Sequence, residues 1–409
     1  MRGLPRSPRR INGVRLFSIL IPLALIGYFW WQSQPKSYRL IATSDTAAVT
    51  LIPCQDGYLT QEKSGWVLRD WESGKERWQV GLQKTDLSPN AHPAWSIGRR
   101  GDVFVMFLPA SSGPLLQIWK NGRLTFKTTL STWKGNQNVR DRVLNDGRVI
   151  AWTEQPPRCP AVVVEDEKII AHGTLPYREG HRTFVAPDGS FAVVNDASDI
   201  IYTPITIADG SLTATEIPLK GVNVSVEKYP PYYEEGDLLV AGQGLTESGV
   251  IFEGKGPKSS GGWETDTVTP GGVYLLQTKG PRSRVYAPST GEQWSYYAGE
   301  DNRGGDATMD GRYALSYFTP DFSPQAARLL QWLIQIPGVG DALPDPYTGH
   351  AGLYERPGRL RALLRIDLER WWPSHDVGSY WWFPSPDGRA IVVNLESYDG
   401  GARCLLFRW

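Results

Sequence analysis

Ser385–Asn394 reads SPDGRAIVVN, a Pro-Asp-Gly turn followed by a short apolar run. Asp-Gly favours a tight turn because both residues tolerate positive φ. The run after it is apolar at successive positions, so it predicts a strand covered on both faces. The chain writes the same phrase again as PDGSFAVVN in Pro187–Asn195 and as MDGRYALS in Met309–Ser316. Looser copies are NDGRVIAW, EEGDLLVAG and PGGVYLLQ.

The turn glycines fall at Gly57, Gly101, Gly147, Gly189, Gly236, Gly272, Gly311 and Gly388, spaced by 44, 46, 42, 47, 36, 39 and 77 residues. A period near 42 fits one four-stranded propeller blade. After Tyr38 there is almost no helical periodicity, and short β-rich runs alternate with Gly, Pro, Asn and Asp. The expectation is an all-β fold over 38–409, a β-propeller of about seven to eight four-stranded blades. The last copy, after Gly388, leaves room for only two or three strands before Trp409. Tyr38–Ala42, YRLIA, is expected to supply the missing outer strand, because joining the chain ends removes exposed edges.

A second echo is LRDWESGKERW in Leu68–Trp78 and VYAPSTGEQW in Val285–Trp294. Each reads as strand, Gly hairpin, then a strand carrying Trp. Here the chain resembles the PQQ-like and WD-repeat β-propeller superfamilies. The first copy is close to the tryptophan-docking pattern A-x-D-x-x-x-G-K-x-x-W, matched by Asp70, Gly74, Lys75 and Trp78, with Leu68 in place of Ala. In the second, Ala287 replaces the Asp and Trp294 comes one residue early. The resemblance implies that these Trp are structural and dock on the next blade. For a quinone-dependent dehydrogenase it would imply PQQ, calcium and adjacent cysteines. No two cysteines here are adjacent, so no cofactor is expected.

The amino-terminal region reads differently. Residues 1–15 form a basic tail with five arginines, and Leu16–Trp31, LFSILIPLALIGYFWW, is apolar apart from Ser18. As a helix it spans roughly 24 Å, slightly less than a hydrocarbon core. Tyr28–Trp31 suit the far interface. A leader peptidase needs small residues before its cut, and YFWWQSQP offers none. The expectation is a transmembrane signal-anchor at 16–31, a linker at 32–37 and an extracytoplasmic propeller, with cleaved secretion as the alternative. The arginines then stay cytoplasmic.

The chain has 43 basic and 43 acidic residues, but the first 36 hold six basic and no acidic ones. The remainder is therefore mildly acidic, which argues against nonspecific nucleic-acid binding. Three cysteines cannot all pair internally. Either they are buried thiols, or Cys54 and Cys404 form a disulfide and Cys159 is left over.

The interval after Gly311 is too long for one blade, so an insertion is expected at 320–360. It holds Ser323–Ile336, SPQAARLLQWLIQI, which has a cap, a first-turn Pro and a Pro-Gly stop and predicts a helix.

Catalytic signals are missing. There is no G-x-S-x-G, and His92, His172, His181, His350 and His375 lack H-x-H or H-E-x-x-H spacing, so neither catalytic nor metal residues are assigned. Gly299–Asp306, GEDNRGGD, reads as a solvated turn without the bidentate Glu of a calcium loop. Aromatic clusters are the binding candidates: Tyr229, Tyr232 and Tyr233 in YPPYY, and Trp371, Trp372, Tyr380, Trp381 and Trp382 in WWPSHDVGSYWWF. They suit a protein partner or a carbohydrate, or else inter-blade packing. The expected role is a membrane-anchored protein-binding scaffold. The alternative is a carbohydrate or small-ligand binder, or an enzyme, using the central channel.

Overall fold

The computed structural model describes residues 36–46, 51–81, 94–108, 112–133, 139–154, 157–178, 183–185, 189, 191–196, 199–215, 217–220, 224–226, 238–240, 243–245, 251–253, 263–268, 274–287, 292–298, 305–308, 310–318, 333, 350–373 and 375–409. Ser37–Trp409 form one compact unit. Among the described residues no helix is long and apolar enough to cross a membrane. The apolar run at 16–31, Tyr229, Tyr232, Tyr233 and the helix expected at 323–336 lie outside them, apart from Leu333, which is helical.

Sheets follow one another along this unit, each an antiparallel meander. Sheet I holds Leu51–Pro53, Tyr58–Glu62, Gly65–Arg69 and Glu76–Gly81. Sheet II holds Ala94–Ile97, Val103–Leu108, Leu115–Lys120 and Arg123–Thr129. Sheet III is nine-stranded and contains two meanders. One runs Val139–Val143, Val149–Thr153, Cys159–Glu165, Lys168–Leu175; the other runs Thr183–Val185, Phe191–Asp196, Asp199–Ala208, Ile217–Lys220. Ser211–Ala214 pairs antiparallel with the end of Asp199–Ala208 and parallel with Lys168–Leu175, which joins the two.

Sheet IV holds Val224–Val226, Leu238–Val240, Gln243–Leu245 and Ile251–Glu253. Sheet V holds Glu264–Val268, Leu275–Lys279, Arg282–Ala287 and Glu292–Tyr297. Sheet VI includes Gly305–Ala307, Tyr313–Phe318, His350–Glu355 and Arg359–Arg365, so strands resume well inside the 320–360 interval. Sheet VII takes Val377–Pro384, Ala390–Ser397 and Ala402–Arg408 from the end of the chain, and Arg39–Thr46 from its beginning. That last pairing, Arg39 opposite Arg408 through Thr46 opposite Ala402, closes the array as the Tyr38–Ala42 reading expected.

Neighbouring sheets meet through their first strands. Ala94–Ile97 contacts Val139–Val143, and Gly305–Ala307 contacts both Glu264–Val268 and Val377–Pro384. The apolar clusters lie between sheets. One joins sheets VII, I and II around Trp66, Phe104 and Leu406. Another joins sheets VI and VII around Leu353 and Val393. A third joins sheets II and III, and a fourth joins sheets V and VI. Radially arranged four-stranded meanders, packed face to face and closed by the two chain ends, are a β-propeller.

The repeated phrase is one repeated turn. In sheet VII, Ser385 Oγ donates to Asp387 Oδ1 at 2.6 Å, and the backbone N–H of Arg389 and of Ala390 donate to Asp387 Oδ1 and Ser385 Oγ at 3.0 and 2.9 Å. In sheet VI, Thr308, Asp310, Arg312 and Tyr313 repeat those bonds at 2.6, 3.0 and 3.0 Å. Gly388 and Gly311 sit at φ 67° and 63°, where a side chain is disfavoured. The strand after each turn is second from the ring axis. It is buried on both faces because a neighbouring sheet covers each.

Tryptophan joins one sheet to the next turn. Trp78 Nε1, on the outer strand of sheet I, donates to Gly101 O of sheet II at 2.9 Å. Trp294 Nε1, on the outer strand of sheet V, donates to Gly311 O of sheet VI at 2.7 Å. The docking role that the resemblance implied is carried by these two bonds. At the closure Trp409 Nε1 donates to Gly388 O of its own sheet, at 2.8 Å.

Cys54, Cys159 and Cys404 are buried thiols, none of them in a disulfide. The Cys54–Cys404 disulfide is therefore not formed, although both residues belong to the cluster at the closure. Each has a different neighbour: Cys54 Sγ approaches Ile52 O at 3.8 Å, and Cys404 lies opposite Asn394 and Ser44 in its sheet.

Candidate functional site

Strand direction sorts the loops. First strands run to the Asp-Gly turns on one axial face. Loops between second and third strands, and linkers from one sheet to the next, fall on the opposite face. In sheet VII this second face carries the linker 366–376 and the hairpin 398–401, and most of the candidate aromatics lie there or nearby.

The linker folds into a short helix, Leu368–Trp371, which the sequence reading did not anticipate. Asp367 caps it by accepting from the Arg370 N–H at 3.1 Å. Trp371 points inward and meets Phe407 with ring centroids 4.8 Å apart. Trp372 is buried as well, but it forms the floor of the face. His375 stacks on it at 4.3 Å and 20°, and Arg403 Cζ lies 5.1 Å from its ring centroid. Gly401 makes room for it, since a Cβ there would stand 3.1 Å from the indole. Arg403 is held in turn by Asp45 of the closing strand, Nε to Oδ1 3.0 Å.

Tyr398 belongs to the hairpin 398–401 on the same face. Its backbone N–H donates to Asp376 O at 3.0 Å, and its ring covers Gly378, where a Cβ would meet it at 3.0 Å. The side chain is 77 % exposed, the most open of the large hydrophobic residues described. Beside it, Asp399 accepts from the Ser397 hydroxyl. That bond, followed by the Gly401 N–H and the charge of His375, holds the Asp399 carboxyl below the usual range. His375 Nε2 is 3.8 Å from Asp399 Oδ2. An exposed aromatic ring thus neighbours a charged carboxylate in sequence, and that carboxylate reaches the stacked His375.

Tyr380, Trp381 and Trp382 are on the first strand of sheet VII and are half-buried. Alternation sends them to different neighbours. Trp381 packs towards sheet I, and Tyr380 and Trp382 towards sheet VI, where Trp382 stacks on Tyr317 at 5.7 Å. The candidates are therefore separated rather than gathered. Trp371 and Trp372 are core and floor, and the 380–382 trio borders the axis. Tyr398, His375 and Arg403 are the residues that the sequence reading passed over. The signal for Tyr398 was available: it occupies a Ser-Tyr-Asp-Gly-Gly hairpin tip, where a side chain has little to cover it.

Ionisable groups on the first strands are mostly engaged. Arg140 pairs with Glu154 at 3.2 Å, Ser96 Oγ donates to Asp141 across a sheet boundary, and Arg142 Nε donates to Val185 O at 3.2 Å. Asp306 differs. It is not part of a solvated turn but is buried on the first strand of sheet VI, where its carboxylate accepts from the Ala307 N–H at 2.8 Å. Burial pushes it up to about 8. Among the described residues no group of three or more His, Cys, Asp or Glu is placed to hold a metal.

No family model matches the chain, and no curated protein matches it. Two solved structures are similar in outline. The C-terminal WD40 domain of Sif2 is 10 % identical, with 91 % of this chain and 98 % of that chain covered and a TM-score of 0.42. A eukaryotic initiation factor is 11 % identical, with 81 % and 90 % covered and a TM-score of 0.36.

Proposed function

We propose that this chain is a membrane-anchored β-propeller that holds a protein partner on the face bearing Tyr398. Sheet III counts as two blades in this reading, which makes the ring eight-bladed. The anchor is the apolar run 16–31, and the ring stands on the extracytoplasmic side because five arginines precede that run.

The observation that carries the binding role is the exposed Tyr398 ring, seated against Gly378 on the hairpin whose Asp399 reaches His375 of the Trp372 stack. A tyrosine ring offers a large contact area on few rotatable bonds, so it loses little conformational entropy when a partner covers it, and Tyr is enriched at binding hot spots. The test is crosslinking of the full-length protein in its own membrane, followed by identification of what it captures. A stoichiometric partner whose capture drops at least tenfold in Tyr398→Ala supports the reading. Capture that is unchanged in that variant overturns the assignment of this face.

One observation favours a second reading, a small-ligand or carbohydrate site at the axis. Asp306 is a buried carboxyl on the innermost strand of sheet VI, and it accepts a hydrogen bond from the Ala307 N–H. Binding in a screen of glycans and small amines that is lost in Asp306→Asn would move the function there.

A further inference from the structure

Arg39–Thr46 is the outermost strand of the closing sheet, so one of its edges faces away from the ring. Its first three residues, Arg39, Leu40 and Ile41, are all exposed. Successive residues of a regular strand alternate between faces, and here they do not. The reason is a bulge: the register with Ala402–Arg408 shifts between Leu40 and Ala42, which leaves Ile41 without an opposite number. A bulge re-aims side chains in this way. Leu40 and Ile41 are each 47 % exposed, and both lie at the rim.

Two adjacent aliphatic residues on an open strand edge invite pairing with another chain unless something covers them. The sequence indicates what does. The apolar run 16–31 ends six residues before Ser37, the first residue of the compact unit, and the intervening 32–36 reach at most about 17 Å when fully extended. Arg39 flanks the pair on the strand and is exposed as they are. Aliphatic tips beside a basic side chain are the chemistry of a lipid headgroup layer, where the apolar parts enter and the charge stays at phosphate level.

We propose that the rim of the closing sheet, led by Leu40 and Ile41, rests on the headgroup layer of the bilayer. The inference rests on the anchoring proposed above. It adds an attitude to it: the ring stands on its edge, and both axial faces remain open to partners.

The test uses the full-length chain in nanodiscs of three parts phosphatidylcholine to one part phosphatidylglycerol, with a nitroxide on a fraction of the headgroups. A fluorophore is placed through Ile41→Cys, or through Thr206→Cys on sheet III as the distant control. The native cysteines are buried and stay unlabelled. Quenching several-fold stronger at position 41 than at 206 is expected. The same label at Thr43→Cys should lose at least half its quenching when Leu40→Glu and Ile41→Glu are added. Both substituted side chains are already exposed, and an unchanged melting curve shows that the fold survives. Equal quenching at 41 and 206 in a chain that stays with the nanodisc overturns the rim contact alone. So does crosslinking of position 41 to a second copy. A chain that does not stay with the nanodisc overturns the anchoring and, with it, this inference.

Discussion

The ring of Tyr313 lies over Gly388, so close that a Cβ built on the glycine would stand 2.8 Å from it. Tyr313 begins the second strand of sheet VI, and Gly388 belongs to the turn of sheet VII. Tyr274 and Gly311 repeat the contact one sheet earlier, at 2.6 Å. Gly311 and Gly388 are thus each fixed twice, by their own positive φ and by the previous sheet's tyrosine.

Alanine at Gly388 should therefore cost more than alanine at Gly147. The second glycine has φ 89° but nothing within 4 Å of its Cβ position. Backbone strain alone costs about 1 kcal/mol, and crowding a packed ring adds about 1–3 kcal/mol. Urea midpoints of Gly388→Ala and Gly147→Ala should rank in that order. Equal midpoints would show that the tyrosine moves aside freely.

The indole bond between sheets is separable from indole bulk. Trp294→Phe keeps most of the apolar surface but leaves the Gly311 carbonyl without its donor. About 1–2 kcal/mol should be lost, against about 3–5 kcal/mol for Trp294→Ala. Equilibrium unfolding of both variants reads the difference.

Asp306 should make stability fall as pH rises. Its folded pKa, about 8, lies above the value near 4 of an unfolded carboxylate. Between those values the folded chain holds a proton that the unfolded chain has lost. The group's contribution is fully present below about pH 4 and declines by up to about 1.4 kcal/mol per unit until about pH 8. Asp306→Asn should flatten that slope. Identical pH dependence of the wild type and the variant, measured by denaturant midpoints at pH 5 and 8, would sink the assignment.

Burial raises the thiols of Cys54 and Cys404, the latter to about 12. Native protein should resist iodoacetamide at pH 8, because the thiolate is the reacting form. Unfolded without reductant, it should take up three equivalents. Two fewer would mean that a disulfide forms after all.

The architecture was legible because it is written several times. Asp-Gly turns, both-face apolar strands and the Trp78 and Trp294 hairpins each recur, and every copy reports the same local physics. Even the closure could be read, since the last copy lacked a strand that YRLIA was able to supply. The candidate face was less legible. WWPSHDVGSYWWF marks where aromatics are dense, but the sequence does not say which side of a strand or helix each one takes. That is decided by neighbouring sheets, which bury Trp371 and divide Trp381 from Trp382. Asp306 was misread for a related reason: GEDNRGGD is polar throughout, and only the first strand of sheet VI takes its last aspartate inside. A lone Tyr398 carries no pattern beyond its hairpin.

Closure by the two chain ends also sets an order of events. Asp45 and Arg403 pair across 358 positions of sequence, so Arg39–Thr46 waits until Ala402–Arg408 has been made. Contacts of such separation form slowly, and a chain with unpaired strand edges is prone to aggregate while it waits. Synthesis halted anywhere before Ala402 leaves Arg39–Thr46 with no partner. A chain cut short near its end should therefore be degraded or aggregate rather than persist as a slightly smaller ring.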